Sequence, residues 1–160
     1  YGDSESVLGQ IGISGFQVIT KLPKVAPSVD RKAWVTNQLE ASIVRLKIGH
    51  LYAVLLHRSE DLFDERGFEV YDALLEHKKS NLIRKVGVSV YSVKELEKCL
   101  QSFDLDIIQI PFNLIDRSVL TSGWLEKLKE KKIEVHVRSA FLQGLLLMDK
   151  KDIPKQFNKW

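Results

Sequence analysis

The chain has 160 residues, the size of one domain, with 44% apolar and 28% charged residues and a formal charge of +3. Those proportions belong to a globular protein and exclude disorder, collagen-like repeats and a disulfide scaffold. No basic stripe interleaves with aromatics, so nothing points to a nucleic-acid partner.

The single cysteine, Cys99, cannot close an internal bridge and suits a reducing, cytoplasmic compartment. The longest apolar stretches, 53–56 and 145–148, are far too short to span a bilayer, so no membrane partner is expected. The chain opens Tyr1-Gly2-Asp3-Ser4-Glu5, with neither a methionine nor a secretory signal, and reads as the middle of a longer protein.

Five short β-rich runs stand at 16–20, 52–56, 85–90, 107–112 and 133–137. Most are apolar on consecutive positions, which suits strands of a parallel sheet covered on both faces. A helix is expected after Ser28 or Asp30, either of which can cap it. Its apolar face is Val35, Leu39, Ile43 and Leu46, and Gly49 is its stop. A second is expected over 67–80, with Val70, Leu74 and Leu75 inward. A third starts at Ser92, where Glu95 completes a capping box. A fourth covers 118–131 with Leu125 and Leu128 inward. From 148 onward, Ile153, Phe157 and Trp160 step by four and three among lysines, which predicts the start of a further helix.

Strand and helix alternate, and each connection is long enough for a right-handed crossover. The class is α/β with a parallel sheet, either a closed (β/α)8 barrel or an open doubly wound sheet. The doubly wound fold predicts a glycine-rich turn after an early strand. Gly9, Gly12 and Gly15 all precede the first strand, so they supply none. The barrel predicts polar residues at the strand tips, facing one mouth. Lys21, His57, Ser89, Gln109 with Asn113, and Arg138 with Ser139 stand there.

Taken singly, each has an ordinary explanation: a solvated lysine, a hydrogen-bonded histidine, a capping serine or asparagine. Together, a cation, an imidazole, a hydroxyl and amides around one mouth are costly unless they bind something. His50, His77 and His136 lack such a setting and read as structural or solvent-facing. No His/Cys/Asp spacing suggests a metal. The charged segment 58–66 follows His57 and would hang over the mouth, either as a solvated loop or as a feature favouring a polar, sugar-like substrate.

These residues resemble the aldo-keto reductase superfamily. Tyr1-Gly2-Asp3-Ser4-Glu5 with Leu8-Gly9 resembles the segment after the family's second barrel strand. Val18-Ile19-Thr20-Lys21, Leu55-Leu56-His57, Val86-Gly87-Val88-Ser89, 109–113 and 138–146 resemble strands three to seven and their tips. The likeness runs to about residue 147, leaving 148–160 for the following helix. It implies a single incomplete barrel domain over 1–160, with strands three to seven of eight.

The resemblance implies reduction of an aldehyde or ketone carbonyl by NADPH (or NADH), without a metal. It makes Tyr1 the general acid, Lys21 its charged neighbour and His57 the group orienting the carbonyl oxygen. Ser89 and Gln109 would hold the nicotinamide carboxamide. Ser139 and 142–145, including Gly144, would lie near the cofactor phosphates. Arg138 stands where many members carry an aromatic that stacks on the nicotinamide, Val90 where asparagine is usual and Tyr52 where aspartate is usual. The family's catalytic aspartate would precede Tyr1. A chain of this span is therefore expected to be nearly inactive alone, its parent being the enzyme. The alternative is a non-catalytic binding or regulatory subunit on the same barrel, since fold alone does not give function.

Overall fold

A computed structural model describes residues 2–26 and 29–157. A short helix, α1 (Ser4–Ile11), precedes strand β1 (Ile19–Leu22). Then α2 (Arg31–Leu46), β2 (Leu51–Leu56), α3 (Gly67–Lys79), β3 (Ile83–Ser89), α4 (Val93–Ser102) and β4 (Ile107–Pro111) alternate. Two short helices, α5 (Ser118–Thr121) and α6 (Trp124–Glu130), lead into β5 (Glu134–Arg138).

The five strands pair in parallel in the order β1-β2-β3-β4-β5. A doubly wound sheet reverses direction at a switch point, and this one does not. Stepwise addition on one side is the winding of a barrel. Curvature is visible in the side chains: Lys21 of β1 and Arg138 of β5, from the two outermost strands, line the same pocket.

The helices cover one face of the sheet. Val35 and Leu39 of α2, Val70 and Leu74 of α3 and Leu96 of α4 are fully buried with Val54, Leu56, Val86, Val88, Ile108 and Ile110 of the strands. The opposite, concave face holds a smaller apolar cluster of Ala53, Leu55 and Ile107, with Ile19 and Tyr52 at its edge. Val18 O accepts from both Tyr52 N at 2.9 Å and Ala53 N at 3.4 Å. That shared acceptor interrupts the strict alternation, and both residues pack in the concave cluster.

Gly87 sits where β3 and β4 meet on this face. A Cβ there would lie 2.0 Å from Ile107 O and 2.8 Å from Leu55 Cδ2. The blocking atom is backbone, so only glycine fits.

The concave face also carries charge. Glu134 accepts from Tyr52 Oη at 2.6 Å and pairs with Lys85 Nζ, which in turn donates to Tyr52 Oη at 2.7 Å. His136 Nε2 lies 2.6 Å from the other Glu134 oxygen. Burial raises the Glu134 pKa. Hydrogen bonds from Lys85, Tyr52 and His136 outweigh it and hold the carboxyl at about 2. His136, expected to be merely structural or solvent-facing, belongs to this four-residue network.

The helix ends show how local chemistry acts. Asp30 caps α2 through Ala33 N at 3.0 Å, whereas Ser28, the other candidate, lies outside the described residues. Gly49 is not the stop: Lys47 takes the left-handed conformation at φ 54°, with Ile48 N bonding back to Ile43 O. Ser92 caps α4 as expected, accepting from Glu95 N at 3.2 Å. The return half of the box is displaced by one residue, since Glu95 accepts from Tyr91 N.

Several expectations change. The first strand begins at Ile19 rather than 16, because Gly15 (φ 93°) turns the chain and leaves Phe16 77% exposed. The single helix expected over 118–131 is split by Gly123, which is left-handed at φ 74°. Over 148–157 there are 3-10 turns at Lys150–Asp152 and Lys155–Phe157, not an α-helix, and Trp160 lies outside the described residues. Pro154 removes a backbone donor between them. The segment 58–66 folds into a 3-10 turn, Ser59–Leu62, in which Ser59, Asp61 and Leu62 are buried, and its Arg66 pairs with Glu69. None of its residues lines the pocket at the strand tips. No described helix is long and apolar enough to cross a membrane.

Two measurements check this packing. Gly87→Ala is expected to cost roughly 1–3 kcal/mol, toward the upper end because backbone must move, read from the urea midpoint. Glu134, with its folded pKa depressed from 4.5 to about 2, contributes stability that is present above about pH 4.5 and fades as pH falls through about 2. The stability difference between wild type and Glu134→Gln should therefore shrink between about pH 6 and about pH 3 in denaturation curves.

Candidate active site

The β-pleat determines which strand residues face the concave side. Leu22, Leu56, Val88, Ile108 and Ile110 point into the helix-covered core. Their neighbours Lys21, His57, Ser89 and Gln109 therefore point the other way. Parallel register brings them level: Lys21 pairs with Leu55, Ser89 with Gln109, and Pro111 with Arg138. His57 N donates to Leu22 O at 3.3 Å, so the imidazole follows directly from the β1–β2 ladder.

The result is one cavity of about 420 Å³ lined by Lys21, His57, Ser89, Gln109, Arg138 and Ser139, with Gly144 at its margin. Of the residues expected at the site, Asn113, Leu142 and Leu145 do not line it, and Tyr1 lies outside the described residues. Gln143, of the expected 142–145 stretch, lines it too, and Tyr91 and Phe141 join them. Those last two are in loops, where no periodicity marks them. Their one signal is position, a few residues beyond a strand tip.

Ser89 is 1% exposed and donates from Oγ to Gln109 Oε1 at 3.1 Å. The Gln109 NH2 makes no hydrogen bond among the described residues, so the pair offers an amide donor and a hydroxyl to a planar polar group. That is the complement a carboxamide needs, and the cavity lies within the 300–1,000 Å³ range usual for ligand sites.

Arg138 lies over Tyr91, with Cζ 3.9 Å from the ring centroid. Its Nη2 donates to Val90 O at 3.0 Å. Its Nε is buried and has no hydrogen-bond partner among the described residues.

The loop after β5 is held in an unusual shape. Ser139, Leu142 and Gln143 are left-handed at φ 57°, 48° and 59°. Each such non-glycine residue costs about 1 kcal/mol or more. Asn113 offsets part of this. It is buried, donates from Nδ2 to Ser139 O at 3.2 Å, and accepts on Oδ1 from Ile115 N and Asp116 N. Asn113 is thus a bracket for the loop rather than a ligand-facing group.

Behind the rim, Glu5 ties α1 to the sheet. It accepts from Thr20 Oγ1 at 2.5 Å and from Arg45 Nε at 2.8 Å.

The imidazole of His57 is held below its ordinary pKa of 6.5, first by burial and then by the charges of Lys21 and Arg138. It is therefore neutral at neutral pH, with one ring N–H to donate.

A curled, singly wound parallel sheet with its polar residues gathered at one rim is the framework of a (β/α)8-type barrel. The family model for the Aldo/keto reductase family matches residues 1–160, and the chain belongs to that family. The five strands are those of an incomplete (β/α)8 barrel.

It is 29% identical over 113 residues to an NADH-specific methylglyoxal reductase of Escherichia coli, a match covering 70% of this chain and 34% of that protein. Aldo-keto reductase AKR11C1 of Bacillus halodurans superposes with a TM-score of 0.74 at 22% identity, covering 94% of this chain and 50% of that one. A Gox0644 variant solved with NADPH superposes at 0.71 and 20% identity, covering 92% and 53%. The chain thus spans about half the length of those structures and about a third of the curated relative. Both superpositions fall below 25% identity and speak to the fold alone.

The depressed His57 pKa can be read directly. The imidazole resonance in an NMR titration should turn over below pH 6.5, and Lys21→Met should move it upward.

Proposed function

We propose that this chain carries the catalytic rim of an NAD(P)H-dependent reductase that converts an aldehyde or ketone to the alcohol. The observation that carries the reading is the convergence of Lys21, His57, Ser89 and Gln109 on one cavity from four successive strands.

The dinucleotide, when bound, supplies the hydride; what remains falls to the protein. Ser89 and Gln109 would hold its carboxamide, Ser139 and Gly144 would lie toward its phosphates, and Arg138 would lie beside its ring. NADPH and NADH both have precedent among the relatives: one is described as NADH-specific, and another was solved with NADPH.

As the carbonyl carbon gains the hydride, its oxygen becomes an alkoxide and must take a proton. Tyr1 gives that proton from its phenol. A phenol with its usual pKa of about 10 is a poor donor at neutral pH, and the Lys21 ammonium lowers it by favouring the phenolate. Neutral His57 donates a hydrogen bond to the same oxygen, fixing its position and easing the growth of charge. A protonated imidazole would add a third positive charge beside Lys21 and Arg138, which the depressed pKa opposes. The proton therefore comes from the tyrosine, and the histidine orients.

The test is oxidation of NADPH by the full-length protein over an aldehyde panel. Lys21→Met and Tyr1→Phe should each lower kcat/KM by about 10²- to 10⁴-fold while leaving NADPH binding intact. A Tyr1→Phe protein at full rate would remove the tyrosine from the mechanism. Absence of turnover with every carbonyl, alongside tight NADPH binding, would favour a non-catalytic subunit.

A further inference from the structure

The rim has a charge pattern that carbonyl reduction by itself does not require. Among the described residues lining the cavity there are two basic side chains, Lys21 and Arg138, and no carboxylate. They come from the outermost strands and face the same space, whose walls include buried Ser89. A concave site lined by one sign of charge attracts anions.

Arg138 is built for one. Its guanidinium has five donor hydrogens, of which the one at Nη2 is given to Val90 O. Among the described residues it forms no salt bridge, and its buried Nε has no hydrogen-bond partner. The donors left to a ligand are therefore those of the guanidinium end, at Nη1 and the second hydrogen of Nη2. The contact with the Tyr91 ring and the bond to Val90 O hold the guanidinium in place, so less side-chain freedom remains to be lost on binding. A planar oxyanion accepts two parallel N–H bonds from such a fork, which an ammonium cannot match.

We propose that the substrate of this site carries a carboxylate close to its reacting carbonyl, and that Arg138 receives it. The substrate class is then the oxo acids. This rests on the reductase reading above for the word substrate; the carboxylate site itself rests on Arg138. Arg138 acts as a specificity residue, selecting by charge among carbonyl compounds that Tyr1, Lys21 and His57 would treat alike.

The experiment compares pyruvate with methyl pyruvate, which has the same carbonyl but no charge, by calorimetric titration of the full-length protein. A third arm uses ADP-ribose, which carries the phosphates of the cofactor without its ring. Pyruvate should bind at least about tenfold tighter than its ester. Arg138→Gln should abolish that preference and leave ADP-ribose affinity unchanged. Arg138→Lys keeps the charge without the fork and should restore only part of the preference, which separates recognition from a folding defect.

Equal affinity for acid and ester overturns the proposal. So does an Arg138→Gln protein that keeps the preference, or one that loses ADP-ribose instead, which would assign the cation to the cofactor. NADPH turnover is scored separately. Charge-selective binding without turnover leaves the carboxylate site standing and removes the reductase reading. Turnover that ignores charge does the reverse.

Discussion

Parallel pairing in strict chain order is the constraint on which this molecule's chemistry depends. It sends the carboxyl end of every strand to one rim. The pleat then decides, residue by residue, what that rim contains. A slip of one residue in β2 would exchange His57 with Leu56, which lies in the helix-covered core. Hydrophobic burial on the convex side thus fixes the register, and the register fixes the chemistry on the concave side. Gly87 serves the same end, since the approach of β3 to Ile107 leaves no room for a side chain.

The two ends of the concave face handle charge differently. Lower in the strands, Lys85, Tyr52 and His136 gather on Glu134, and the carboxylate is satisfied from three sides. At the rim, Arg138 has a ring beneath it and one carbonyl beside it, and its remaining donors meet no carboxylate among the described residues. The contrast separates a structural use of ions from a receptive one. Lys85 is an internal partner, and Arg138 has capacity left for a visitor.

Much of this was legible in the sequence because the signals are periodic. Val35, Leu39 and Leu46 mark the buried face of α2, and the apolar runs mark the strands even where their ends shift by two or three residues. The rim residues were legible because each follows or interrupts such a run, and the likeness to a family ordered them. The rest depends on non-local facts. Nothing nearby in sequence pairs Tyr52 with Glu134, 82 residues away. Lys47 in a left-handed cap where Gly49 stood ready shows a tertiary preference overriding local propensity. Tyr91 and Phe141 enter the cavity from loops, which no pattern marks. The helix Ser4–Ile11 went unmarked because its N-terminal Asp3 makes no side-chain cap bond and only Gly9 of its residues is buried.

Cys99 lies fully enclosed on α4, in the layer that joins the helices to the sheet. Burial, with a further push from Glu95, drives its thiol up to about 12, so almost none of it is thiolate in the folded chain. The only sulfhydryl in the sequence is therefore silent while that layer stays closed, and becomes nucleophilic when α4 lifts away. The protein carries a built-in chemical clock, and the speed at which an alkylating reagent consumes this one sulfur reports how often the helical coat opens.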